Sequence, residues 1–258
     1  MSWEKSIRDR LQDRRLLLMA HTVVGYPSLE ENWAMLEAMQ HAGVDLVELQ
    51  LPFSEPIADG PVFVRANQSA IDAHLDWKTY FDFFTRASQT FDFDLIFMGY
   101  YNPIFRMGAE TFVERLATAG GCGYIVADLP PEEATEVNTC ARARGLDPVL
   151  LMTPTNSEDR LRQIAAQASG LLYCVARKGV TGKHTQLSAG VGEFLGRCRQ
   201  TTDLPLALGF GIKNPEDVRA VQGLADVAIV GTACLEAWET LGPKGYSDFL
   251  KALVNATR

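Results

Sequence analysis

The 258-residue chain has no run of about 18 apolar residues, so no membrane span is expected. Its opening stretch, Met1 to Arg10, is too polar for a secretory leader and reads as the start of an amphipathic helix. Positive charge is not in excess: the net charge of −8 argues against a nucleic-acid groove, which needs a basic face. Paired cysteines are missing too. Cys122, Cys140, Cys174, Cys198 and Cys234 are odd in number and scattered, with no CxxC pair, and are expected to be small reduced core residues of a cytoplasmic protein. The four histidines, His21, His41, His74 and His184, lack metal-ligand spacing, so no metal is expected. No Ser/Gly-rich linker or shift of composition divides the chain, which is read as one domain over residues 1–258. What is present is an ordinary globular composition, 47% hydrophobic and 22% charged, sufficient for a sizeable core.

Short apolar runs alternate with longer amphipathic ones. The runs predict eight strands: Leu17 to Thr22, Asp45 to Leu51, Asp94 to Gly99, Gly123 to Asp128, Pro148 to Thr153, Leu171 to Val175, Pro205 to Gly209 and Asp226 to Val230. Helical patterns between them include Leu29 to Ala42, Ala109 to Ala119, Pro131 to Arg144, Ser157 to Ala168 and Pro215 to Gln222. Asn214-Pro215-Glu216-Asp217 combines an N-cap residue, proline at the first helical position and first-turn acids, and Ser157-Glu158-Asp159 follows the same logic. Gly43 and Gly120 are placed to stop helices. Repeated strand-helix units point to a (β/α)8 TIM barrel with an extra N-terminal helix plugging its base; an open doubly wound sheet is the alternative.

The chemistry is expected where a carboxylate interrupts a strand. In Val44-Asp-Leu-Val-Glu-Leu-Gln-Leu51, residues Leu46, Glu48 and Gln50 share one face and Val47 and Leu49 the other. The apolar pair should meet the outer helices, leaving Glu48 inside the barrel near its mouth, where desolvation raises a carboxyl pKa toward neutrality and suits it to general acid/base work. Asp59, in the loop that follows, opens on the same mouth. Two acids in unlike environments can divide roles, one titrating and the other staying ionised to hold a cationic group. Glycines at the ends of the last two strands, in Gly209-Phe210-Gly211 and Gly231-Thr232, let backbone N–H groups approach an anion, as barrels do for phosphate after strands seven and eight. The polar stretch from Val175 through Arg177, Gly179, Gly182 and His184 reads as a long loop after strand six, a candidate lid.

The motifs Val47-Glu-Leu-Gln-Leu-Pro-Phe-Ser-Glu-Pro-Ile-Ala-Asp-Gly-Pro61, Met98-Gly-Tyr-Tyr-Asn-Pro-Ile-Phe105, Asp128-Leu-Pro-Pro-Glu-Glu133, Arg177-Lys-Gly-Val-Thr-Gly182 and Gly209-Phe-Gly-Ile212, in this order over nearly the whole chain, resemble the tryptophan synthase alpha subunit family. The resemblance implies a lyase of tryptophan biosynthesis on a (β/α)8 barrel, cleaving indole-3-glycerol phosphate to indole and glyceraldehyde 3-phosphate by a retro-aldol reaction. It implies Glu48 as the general acid/base that protonates indole C3, and Asp59 as the acid that holds the indole N–H and the charge developing on the ring. It places Tyr173 and Thr181 near the substrate and Asp59, Phe210 beside the substrate, and Gly182, Gly211, Gly231 and Thr232 at the phosphate. It implies no cofactor in this subunit, and as partner a beta subunit that carries pyridoxal phosphate and receives indole through a tunnel, in an α2β2 heterotetramer. Three positions depart from the family pattern. Gln50 replaces a usual glycine and is expected to crowd the site or hydrogen-bond the Glu48 carboxylate; Glu55 replaces a usual aspartate in the loop facing the beta subunit; Thr232 replaces the commoner serine and keeps the hydroxyl. These departures motivate an alternative, a weakly active barrel subunit that binds a phosphate ligand and activates its beta subunit. A different phosphate-binding barrel enzyme leaves the Pro52 to Pro61 stretch unexplained.

Overall fold

The computed structural model describes residues 2–175, 189–209 and 211–258. Its strands are β1 (Leu17–Val23), β2 (Leu46–Gln50), β3 (Asp94–Gly99), β4 (Gly123–Val126), β5 (Asp147–Pro148), β6 (Leu150–Met152), β7 (Leu172–Val175), β8 (Leu206–Gly209) and β9 (Val227–Val230). All pairings are parallel and the order is β5-β4-β3-β2-β1-β9-β8-β7-β6. The two ends of that order, β5 and β6, flank the single residue Val149, whose N–H bonds Tyr124 O at 3.0 Å. They are one stave, so the sheet closes on itself as an eight-stave barrel, and the open-sheet alternative is excluded.

The helices are α1 (Trp3–Leu11), α2 (Leu29–Ala42), α3 (Pro61–Asp72), α4 (Trp77–Thr90), α5 (Tyr101–Met107), α6 (Ala109–Thr118), α7 (Thr135–Ala143), α8 (Glu158–Gln167), α9 (Ala189–Arg199), α10 (Pro215–Ala220) and α11 (Thr232–Asn255). Side-chain caps begin several of them: Ser28, Asp76, Ser157 and Asn214 each accept a first-turn N–H. Gly43 ends α2 in the left-handed region at φ 82°, which glycine enters without a Cβ penalty. The predicted helix from Pro131 begins instead at Thr135. Residues 131–134 form consecutive turns, with Glu133 N bonding Pro130 O and Ala134 N bonding Pro131 O.

Strand alternation sorts the core into two layers. Leu18, Ala20, Val47, Leu49 and Phe97 point outward and pack under the helices. Leu17, Met19, Leu46, Ile96, Met98, Ile125, Val149, Leu171, Ala207, Val227 and Ile229 point inward and fill the barrel with apolar side chains. That filling continues below into α1, whose Trp3 and Ile7 belong to the same inner cluster. The helix is tied to the floor: Trp3 Nε1 donates to Asp94 Oδ2 at 3.1 Å, Arg10 pairs with Asp94 at 3.0 Å, and Arg14 pairs with Asp45 at 2.6 Å. Asp45 also accepts from Leu18 N at 2.9 Å, joining the lower ends of β1 and β2. The expected plug at the base is therefore present, and it seals the barrel end opposite the loops that carry the chemistry.

Trp3→Ala is expected to lower unfolding free energy by about 3–5 kcal/mol, the usual cost of emptying a buried aromatic site. Urea denaturation measures it; a loss below about 1 kcal/mol would show that the plug does not seal the core.

Candidate active site

Above the apolar filling the inward-facing positions turn polar. On β1 the inward series Leu17, Met19 is followed by His21, and on β2 Leu46 is followed by Glu48 and Gln50. The strands pair in register at His21↔Glu48. Glu48 is 1% exposed and His21 6% exposed, and His21 Nδ1 lies 3.3 Å from Glu48 Oε2. Burial, reinforced by the nearby charge of Asp59, pushes the Glu48 carboxyl up to about 8. Burial likewise pushes His21 down to about 3, against an opposing interaction with the Gln50 side chain. At neutral pH the pair is thus a protonated acid beside a neutral imidazole. Phe63 of α3 stacks on the imidazole at 4.4 Å between centroids, holding its plane.

Asp59 reaches the same mouth from the loop after β2. Its carboxylate accepts from Gln50 Nε2 at 2.7 Å and Asn67 Nδ2 at 3.4 Å, both on Oδ2. The Tyr100 hydroxyl also bonds it, while accepting from Ala58 N at 3.2 Å. Burial raises the Asp59 carboxyl above its ordinary range, and these donors oppose the rise by favouring the ionised form. The two acids therefore differ as the residue types suggested: Glu48 is desolvated next to a negative neighbour, whereas Asp59 is surrounded by donors. Gln50 neither crowds out nor bonds Glu48. Its amide turns to Asp59 and, at 3.3 Å, to Asn67 Oδ1.

Tyr173, inward on β7, is buried; burial, then the charges of Glu48 and Asp59, hold its hydroxyl protonated far above neutrality. Gly209 on the neighbouring strand leaves room for that ring, since a Cβ there would overlap the Tyr173 phenol. On the next stave Gly231 caps α11 with no side-chain cap, so the first N–H groups of that helix, beginning at Thr232, are available to an anion. Gly211, at φ 106° with open space where a Cβ would stand, leaves the adjoining loop accessible. Thr181, Gly182 and Phe210, and the candidate lid from Arg177 to His184, lie outside the described residues. Glu55 is exposed on the rim, with Ile57 beside it 79% exposed.

The sequence reading missed three residues that build this site. His21 continues the inward alternation of β1, which was the available signal. Asn67 falls on the buried Phe63, Ala66, Asn67, Ala70 stripe of α3, a polar residue on an apolar face. There it accepts Phe53 N at 2.9 Å and donates to Phe63 O at 2.8 Å, clamping both ends of the Asp59 loop. Tyr100 stacks on Phe53 at 5.2 Å and supports the loop from below.

A profile described as tryptophan synthase alpha chain matches residues 7–255. The chain belongs to the tryptophan synthase alpha chain family.

Among its relatives, the tryptophan synthase alpha chain of Syntrophotalea carbinolica is 43% identical over 97% of this chain and 99% of its own length. That of Desulforapulum autotrophicum is also 43% identical, with the same coverage. Among solved structures, a tryptophan synthase from M. tuberculosis in its open form with BRD0059 bound superposes with a TM-score of 0.91 at 26% identity, over 100% of this chain and 99% of that one. The tryptophan synthase alpha chain of Legionella pneumophila gives 0.88 at 30% identity, over 100% and 97%. Alpha chains of this family are lyases of tryptophan biosynthesis that carry no cofactor and work with a beta subunit, to which the pyridoxal phosphate belongs.

The buried acid has a thermodynamic signature. Folded Glu48 keeps its proton up to about pH 8, while the unfolded chain releases it near 4.5. Between those values the unfolded state binds fewer protons, so stability falls as pH rises through the window. Glu48→Gln is therefore expected to melt above wild type at pH 8, with the gap closing toward pH 4.5. Equal melting temperatures at pH 8 would contradict the buried protonated acid.

Proposed function

We propose that the chain cleaves indole-3-glycerol phosphate to indole and glyceraldehyde 3-phosphate, acting as a single barrel domain in the cytoplasm. One observation carries this reading: Glu48, 1% exposed on the inward face of β2 and pushed up to about 8 by burial, faces the barrel mouth beside a second acid, Asp59, held by three donors. The retro-aldol chemistry needs both. Glu48 gives its proton to indole C3, which makes the ring an electron sink. Asp59 accepts the indole N–H and offsets the positive charge that develops there. The bond between C3 and the glycerol chain then breaks, its electrons return to the ring, and the adjacent hydroxyl becomes the aldehyde as it loses its proton. Gly211, Gly231 and Thr232, with Gly182, anchor the phosphate, aided by the N-terminus of α11. Tyr173 walls the ring, and Thr181 and Phe210 match family residues near the substrate.

No described helix is long and apolar enough to cross a membrane, and no described group of side chains has the makeup of a metal site. The partner in this reading is a beta subunit, in an α2β2 heterotetramer. A surface suited to it lies on the same rim as the site. Ile57, in the loop after β2, and Phe105, on α5 after β3, are 79% and 69% exposed on neighbouring strand-to-helix connections at the mouth, where indole would leave.

Glu48→Gln is expected to lower indole release from indole-3-glycerol phosphate by at least about 100-fold with the fold intact. Wild-type kcat is expected to fall as pH rises through about 8, because the acid loses its proton. A variant keeping most of its turnover would refute the assignment. Phe105→Ala is expected to weaken association with a cognate beta subunit about tenfold, measured by titration calorimetry, while leaving Tm unchanged.

A further inference from the structure

The reaction above moves two protons, and Glu48 supplies one. Three polar atoms in the site are buried and have no hydrogen-bond partner among the described residues: Glu48 Oε1, His21 Nε2 and Gln50 Oε1. Orphaned buried atoms of this kind call for a ligand. The first two belong to side chains already in contact through Nδ1 and Oε2 at 3.3 Å, on paired positions of adjacent strands. The imidazole also faces the phosphate end of the site. A Cβ on Gly231 would stand 3.4 Å from His21 Nδ1 and 3.3 Å from the Phe63 ring. His21 thus sits between the acid and the helix N-terminus that would hold the phosphate. A substrate with its ring at the two acids and its phosphate at α11 would carry its glycerol carbons across that interval.

We propose that His21 is the second proton carrier of the reaction, accepting at Nε2 the proton of the glycerol hydroxyl next to the scissile bond and returning a proton to Glu48 through Nδ1. This rests on the retro-aldol reading. The Glu48 O–H bond breaks as the C3–H bond forms, leaving a carboxylate against the imidazole. The carbon–carbon bond then breaks with its electron pair going to the ring. The hydroxyl O–H bond breaks as the C=O forms, its proton going to Nε2. The imidazolium and carboxylate are an ion pair in a dry site, and their contact tightens to hydrogen-bond length as charge develops. Transfer from Nδ1 to Oε2 restores the protonated acid, and exchange with water during product release restores the imidazole tautomer. A buried imidazole is a weak base at rest; the carboxylate appearing beside it makes it a competent one at the moment a base is needed. Among the described residues, the other titratable groups facing the pair are Asp59 in the loop after β2, Tyr173 on β7, and Cys234 on α11, which bonds the His21 backbone.

The test compares wild type, His21→Phe and His21→Asn. Phenylalanine keeps the stack on Phe63, and asparagine keeps an N–H donor toward Glu48. With indole-3-glycerol phosphate, both variants are expected to lose about 100-fold in kcat with KM within about threefold of wild type. Their residual kcat should climb with pH below about 8, because hydroxide replaces the missing base, whereas wild-type kcat stays level there. A kcat within about threefold of wild type in His21→Phe, or full rescue by His21→Asn, would overturn the proposal and leave His21 a packing or orienting residue. A wild type that releases no indole would instead overturn the reaction on which it rests.

Discussion

A carboxyl group shut inside a closed barrel, with no Lys or Arg paired to it among the described residues, is the constraint around which this site is arranged. The identified influences on the Glu48 proton are burial and the charge of Asp59, and both hold it on. An isolated carboxylate at that depth would be costly, so the group titrates rather than ionises. Its neighbours follow suit. His21 stays neutral because its own burial disfavours a charge, and Tyr173 stays protonated for the same reason. Asp59 differs because Gln50, Asn67 and Tyr100 surround it with donors. Two acids of nearly equal intrinsic strength are thereby separated by their surroundings, which is how one barrel mouth can hold both a proton donor and a stabiliser of positive charge.

The same staves serve two purposes along their length. Their lower inward positions are apolar and continue into α1, which is fastened by Trp3, Arg10 and Arg14 to Asp94 and Asp45. Their upper inward positions carry His21, Glu48, Gln50 and Tyr173. The apolar filling and the floor close the barrel below Glu48, which is 1% exposed, and so help to keep it out of contact with solvent. Stability at the base and reactivity at the top are therefore coupled through the solvent they exclude.

Much of this was legible in the chain because strand alternation has a period of two. Leu46, Glu48 and Gln50 had to share a face, and Val47 and Leu49, fit only for the helix layer, told which face it was. Capped helices starting after Ser157 and Asn214 and the stop at Gly43 were equally readable, because local hydrogen bonds decide them. The direction of Gln50 was not. Its partner Asn67 lies 17 positions away on α3, and only the folded loop brings it near. His21 was overlooked because a lone histidine in an apolar run carries little signal; its meaning comes from the register that sets it opposite Glu48. The run from Pro131 misled because a proline followed by acids opens turns as readily as helices.

The protonation of Glu48 in the resting protein is the central claim, and infrared difference titration reads it directly. The carboxyl C=O stretch present in wild type and absent from Glu48→Gln should persist through neutral pH and disappear with a midpoint near 8. A midpoint near the ordinary 4.5 would mean that the site is wet or the acid paired, and would contradict the account.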